Sequence, residues 1–172
     1  MTVLTNVLLY QAGWFACVLG AARGSPWIGV LAAAFVIGWH LTRAIEPRRE
    51  LALIVGATVL GALFETLLVQ AGWVRFDSGV VIEGMAPYWM VALWAIFATT
   101  LNVSLRALRP HLGIAAVLGA IGGPAAYYGG AQFGALELAT AGAALAAISI
   151  GWAAFIPVLL GAARRFDGYA RQ

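Results

Sequence analysis

The sequence predicts an all-α polytopic membrane protein with six transmembrane helices and both termini in the cytoplasm. Three observations carry that prediction. Hydrophobic residues make up 63% of the 172-residue chain and charged residues only 10%, against about 25% in ordinary soluble domains. Long apolar runs rich in Ala, Leu, Val and Gly recur from end to end, where a transmembrane β-barrel would show short alternating segments. The net charge of +3 rests on ten arginines placed between those runs, where topology signals belong.

The helices are expected at about 2–21, 26–41, 51–70, 87–107, 111–129 and 136–163, one domain with no room for a soluble second. The first run has no basic leader and no clear small-residue cleavage site, so it reads as a retained helix. Arg23-Gly24-Ser25-Pro26 is a turn signal, and Pro26 suits the start of the second helix. The stretch 42–50 reads as the most charged loop. The third helix carries Glu65. After it, Phe76-Asp77-Ser78-Gly79 lies between two short β-favouring stretches, as in a small hairpin or re-entrant cap. The fourth run opens on Pro87, Tyr88 and Trp89 and packs Thr99, Thr100, Asn102, Ser104 and Arg106 into eight positions. A helix that only filled lipid has no use for them, so it reads as the wall of something polar. In the fifth, Gly119 and Gly123 permit close helix contact and Pro124 favours a kink. The sixth is alanine-rich, and the tail after it reads as frayed.

With six spans, Arg43, Arg48, Arg49, Arg106, Arg109, Arg164, Arg165 and Arg171 share one side, and only Arg23 and Arg75 the other. That bias places both termini in the cytoplasm of a bacterial inner membrane.

Counting at about 1.5 Å per residue, Asn6, His40 and Asn102 fall within about 5–8 Å of the cytoplasmic boundary, and Thr99 one turn deeper. They either form an inner ligand-binding constellation with one titratable imidazole or tie helices together. Glu65 is the one acid well inside an apolar run, a functional candidate by the cost of burying it. Trp89 and Tyr127 fall near its depth. Gln11 falls near mid-membrane and needs a partner there, helix or ligand. Glu65 and His40 are the catalytic candidates; Asn6, Gln11, Trp89, Thr99, Thr100, Asn102 and Tyr127 are the ligand-binding ones. Two distant histidines and the single Cys17 make no metal site, and no phosphate-binding or nucleophile-elbow motif is present, so no cofactor is expected.

Asn6 with 10–15 (YQAGWF), His40, Trp89, Trp94, 97–102 (FATTLN) and 122–127 (GGPAAY) together resemble a family of uncharacterised bacterial inner-membrane proteins, a domain of unknown function. The resemblance implies the architecture and no activity. It singles out Gln11, His40, Thr100, Asn102 and Pro124 as positions to test, and it implies an aspartate where Glu65 stands. A weaker similarity, over Glu65, 76–79 and 87–89, is to membrane carotenoid-cyclase and hydratase proteins, which implies acid catalysis on an apolar polyene.

Three roles stay open. One is an intramembrane pocket that binds or transports a lipid-like or amphiphilic small molecule. Another is a membrane enzyme that modifies a fatty-acyl or isoprenoid chain with Glu65 as acid. The third is an accessory subunit with a membrane-protein partner or a second copy. The bilayer is the expected surrounding, and the scattered arginines exclude a nucleic-acid face.

Overall fold

Away from water the backbone must satisfy its own polar groups, and the apolar runs accordingly become helices. The structure is a computed structural model that describes residues 1–170; Arg171, counted in the charge bias, lies outside them. α1 (Val3–Ala22) opens at Thr2, whose hydroxyl oxygen accepts the Thr5 N–H at 3.2 Å. α2 (Trp27–Arg43) folds back on α1. Gly29 makes that approach close, since a Cβ there would fall 2.5 Å from the Cys17 Cα. Cys17 is fully buried at the crossing, a packing residue.

α3 (Pro47–Gln70) starts earlier than the sequence suggests, because Pro47 serves as its first-turn proline. Glu50 therefore belongs to a helix and not to a loop. α5 (Leu112–Gln132) and α6 (Ala141–Arg165) form a second antiparallel pair, and each runs through its internal proline, Pro124 and Pro157. Gly119 and Gly123 do allow close contact, and what fills their notch is Trp152. A Cβ at Gly119 would lie 2.3 Å from the Trp152 carbonyl oxygen, and one at Gly123 2.5 Å from its ring.

The fourth run departs most from expectation. α4 (Tyr88–Ala98) is only 11 residues long and stops inside the bundle. The same polar residues that mark the run end the helix. The Thr99 and Thr100 hydroxyls donate back to the Ile96 and Phe97 carbonyls, each at 2.6 Å. Asn6 of α1 then holds the turn that follows. Its Nδ2 donates to the Thr99 carbonyl at 3.1 Å, and its Oδ1 accepts the Ser104 hydroxyl at 2.7 Å. Irregular backbone at such depth persists only when protein groups satisfy it, and Asn6 supplies them. A short 3-10 helix, Arg106–Leu108, leads on to α5.

The segment 71–87 forms no hairpin of its own. Its one ladder contact is an isolated bridge from Arg75 to Glu137, in the connection between α5 and α6. It folds over the end of α1, where the Ser78 hydroxyl donates to the Ala21 carbonyl at 2.9 Å.

Four helices, α1, α3, α5 and α6, are long and apolar enough to cross a membrane, and they mark the chain as a membrane protein. Of the other two, α2 has 17 residues and α4 has 11, about 26 and 17 Å at the helical rise.

Candidate functional site

Two buried polar groups and one apolar cleft stand out. The first group is built on α3. Gly61 lacks a side chain, so the Trp94 indole of α4 lies flat across the helix there; a Cβ would fall 2.1 Å from its ring. One turn along, Glu65 Oε1 accepts the Trp94 Nε1–H at 2.8 Å and the Tyr127 hydroxyl of α5. Glu65 is fully buried and its Oε2 has no hydrogen-bond partner. Trp94 stacks on Trp152 of α6 with centroids 4.8 Å apart, and the buried Trp152 Nε1 completes no hydrogen bond either.

Trp94, Tyr127 and Trp152 are also walls of a cavity of about 240 Å³. It exists because α1 packs on α2 and α4, α5 packs on α6, and α1 and α5 scarcely touch. Tyr10, Trp14 and Val18 line it from α1; Ala115, Gly119, Gly122, Gly123, Ala126 and Gly130 line it from α5. From Ala115 to Gly130 is fifteen residues, so the cleft runs about 22 Å along α5. Leu105 and Leu108 line one end, where the 3-10 helix packs on α5. Trp14 and Phe133 meet edge to face at 6.3 Å near the other. Leu118 and Gly122, both exposed, lie on its rim, so the cleft opens sideways from the bundle. No charged side chain lines it among the described residues.

The second polar group lies at the other end of α3. Glu50 is fully buried and both its oxygens are bonded. Oε2 meets His40 Nε2 at 2.7 Å; Oε1 accepts Asn102 Nδ2 and, at 2.8 Å, the Gly168 N–H. The tail after α6 is tied in here. The Gly168 carbonyl accepts the N–H groups of Ile45 and Glu46, and the Tyr169 hydroxyl donates to the His40 carbonyl at 2.6 Å. Asp167 takes Arg106 and Arg109 on one oxygen, and Arg109 also donates to Asn102 Oδ1. Burial alone would raise the Asp167 carboxyl, but the Arg109 hydrogen bond, the Tyr169 N–H and the two guanidinium charges outweigh it and hold it below the usual aspartate value. Burial, reinforced by Glu50, pushes the Tyr169 hydroxyl up.

Residues 3–158 match the family model described as a protein of unknown function, DUF2878. The chain belongs to the DUF2878 family. No curated protein and no solved structure matches it. The match ends before Asp167 and Tyr169, so the tail's share of the second group lies outside the matched residues.

Within this DUF2878 chain the candidate residues fall into three sets. His40 and Asn102 meet on Glu50, while Asn6, Thr99 and Thr100 shape the neighbouring turn. Tyr127 and Trp89 line the cleft, and Glu65 stands behind it, bonded to Tyr127. Trp89 Nε1 donates to the Ser78 carbonyl at 3.1 Å. Gln11 joins neither group: it is exposed on α1 and does not line the cleft. Glu65 and His40 do not meet. Glu50, which holds His40, and Glu65 are fifteen residues apart on one helix, about 22 Å. Sequence reasoning missed Glu50, Asp167, Tyr169 and Trp152. A proline at 47 followed by Glu50 was the available signal for the first; the pairings of the others bridge distant parts of the chain and leave no local pattern.

Proposed function

We propose that this protein is a six-pass component of the bacterial inner membrane, both termini cytoplasmic, that takes one lipid-like chain into the cleft between α1 and α5. The apolar, sideways-opening cleft is the observation that carries this reading. At about 240 Å³ it is smaller than the roughly 300–1,000 Å³ of drug-sized sites. Its length of about 22 Å then fits a single acyl or isoprenoid chain better than a ring system. Tyr10, Tyr127 and Trp152 are among the lining residues that carry polar atoms, and Glu65 accepts the Tyr127 hydroxyl. An opening on the lipid-facing surface suits a molecule that arrives through the bilayer.

The test is native mass spectrometry in mild detergent, with lipid analysis of what co-purifies. Gly122→Leu is the blocking variant, because the site for a Cβ there is open, with nothing within 4 Å, and the residue lines the cleft. One enriched chain-bearing lipid in the wild type, reduced at least about tenfold in Gly122→Leu with the melting midpoint unchanged, is the expected result. Bulk phospholipid alone in both proteins would remove the reading.

A second reading, a membrane enzyme with Glu65 as acid, draws on the unpartnered Oε2. His40 has no part in it, being held by Glu50 at the far end of α3.

A further inference from the structure

We propose that Arg106 and Arg109 form the head-group site for an anionic amphiphile, a carboxylate or a phosphate ester, whose chain lies in the cleft, and that Asp167 occupies this site as an internal stand-in. The inference rests on the chain-binding reading above and names the class of molecule bound.

The 3-10 helix supplies the geometry. With three residues per turn, positions 105 and 108 share one face and 106 and 109 share the next. Leu105 and Leu108 line the end of the cleft where the 3-10 helix packs on α5. Arg106 and Arg109 are thus the cations beside that end, on the same short piece of backbone. The cleft itself has no charged lining, so an anionic head must lie beyond its walls. Basic side chains between helices at the cytoplasmic face are a recurrent solution for acidic head groups.

The present occupant is a carboxylate. Asp167 Oδ2 accepts from both guanidinium groups, 2.7 Å from Arg109 Nη1. Asp167 Oδ1 is held by the backbone N–H groups of Tyr169 and Ala170, at 2.9 and 3.0 Å. The pair is not saturated by this arrangement, because the Nε atoms of Arg106 and Arg109 are buried without partners. Two guanidinium forks carry more donors than one carboxylate oxygen accepts, and a phosphate or a bidentate carboxylate would use them. Arg109 is fixed in place by Asn102 Oδ1 and the Ala163 carbonyl. Arg106 is 41% exposed, so the site is reachable from the surface.

The test uses three probes with one brominated chain: dibromostearate, the matching alkyl phosphate and the matching alcohol. Bromine quenches tryptophan fluorescence on contact, and Trp14, Trp89, Trp94 and Trp152 line the cleft. Protein in neutral detergent is titrated as wild type, Asp167→Asn and Arg106→Gln, with melting midpoints taken alongside. Asp167→Asn keeps an acceptor oxygen for the tail N–H groups and removes the competing charge. The expected result is about tenfold tighter binding of one or both anionic probes to Asp167→Asn and about tenfold weaker binding to Arg106→Gln, with the alcohol unchanged in both. Which anion responds decides between a fatty carboxylate and a phosphate. If the alcohol and the anions move together, or neither substitution changes the anions, the head-group assignment is wrong while chain binding stands. If no probe quenches, the cleft reading itself fails and this one with it. Should Asp167→Asn misfold, Arg106→Gln decides, since Arg106 carries no bond to the rest of the tail.

Discussion

Two glutamates on α3, Glu50 and Glu65, are both fully buried, and they are solved differently. Glu50 has a partner on each oxygen, drawn from α2, the turn after α4 and the tail after α6. Glu65 has two donors on one oxygen and none on the other, beside a cleft. A saturated buried carboxyl ties elements together. An unsaturated one is a standing cost in stability, and such costs collect where a protein binds or reacts. On the proposed chain-binding reading the contrast puts Glu50 with the architecture and Glu65 with the cleft, although each alone is simply an acid in an apolar helix.

The largest effect expected from breaking this comparison is at Glu50. Glu50→Ala strands His40 Nε2 and the Gly168 N–H inside protein and takes one of two acceptors from Asn102 Nδ2, which keeps the Phe166 carbonyl. Losing one partner of such a buried network destabilises by about 3–5 kcal/mol. The melting midpoint in detergent should fall by many degrees, and protease should open the tail after α6 first. A midpoint near wild type would mean that the tail and α2 hold without Glu50.

Much of the architecture is legible in the amino-acid sequence, and the part that is not has a physical pattern. Long apolar helices follow from composition, since lipid-compatible backbone has few solutions. Asn6, His40 and Asn102 share one level because helical rise fixes depth. What depth does not fix is the partner. Glu50 reads as loop because Arg48 and Arg49 stand beside it, yet Pro47 begins the helix and turns Glu50 inward. Thr99, Thr100 and Ser104 read as a polar wall, whereas their hydroxyls satisfy backbone or Asn6 and break the helix. Asp167 and Tyr169 read as a frayed end because the bonds that seat them reach back to Arg106, Arg109 and His40, at separations no local pattern records.

A smaller effect sharpens the Glu50 side of the comparison through the tail. The folded Asp167 carboxyl titrates below its ordinary value, about 3.9 in the unfolded chain. Its contribution is therefore fully present above that unfolded value and is lost as pH falls through the lower folded one. The midpoint difference between wild type and Asp167→Asn should stay flat from neutral pH to about 5 and shrink below about 4. The size should be about 1 kcal/mol or less, because Arg106 is partly solvated. A difference that grows on acidification would show that Asp167 is not held as a carboxylate by the arginines.

The smallest effect belongs to Glu65. Glu65→Gln keeps an acceptor for Trp94 Nε1 and the Tyr127 hydroxyl, and it puts an amide nitrogen where the unpartnered oxygen stood. One unsatisfied buried group replaces another, so stability should change by less than about 1 kcal/mol. The same change at Glu50 removes the acceptor from one of two bonded sides, His40 Nε2 or the pair Asn102 Nδ2 and Gly168 N–H, and there the loss should be larger. Measuring the two Gln variants side by side isolates the partner count, because helix, burial and substitution are the same. If Glu65→Gln lowers the midpoint as much as Glu50→Gln, the unpartnered oxygen is not free to change, and Glu65 belongs with the architecture after all.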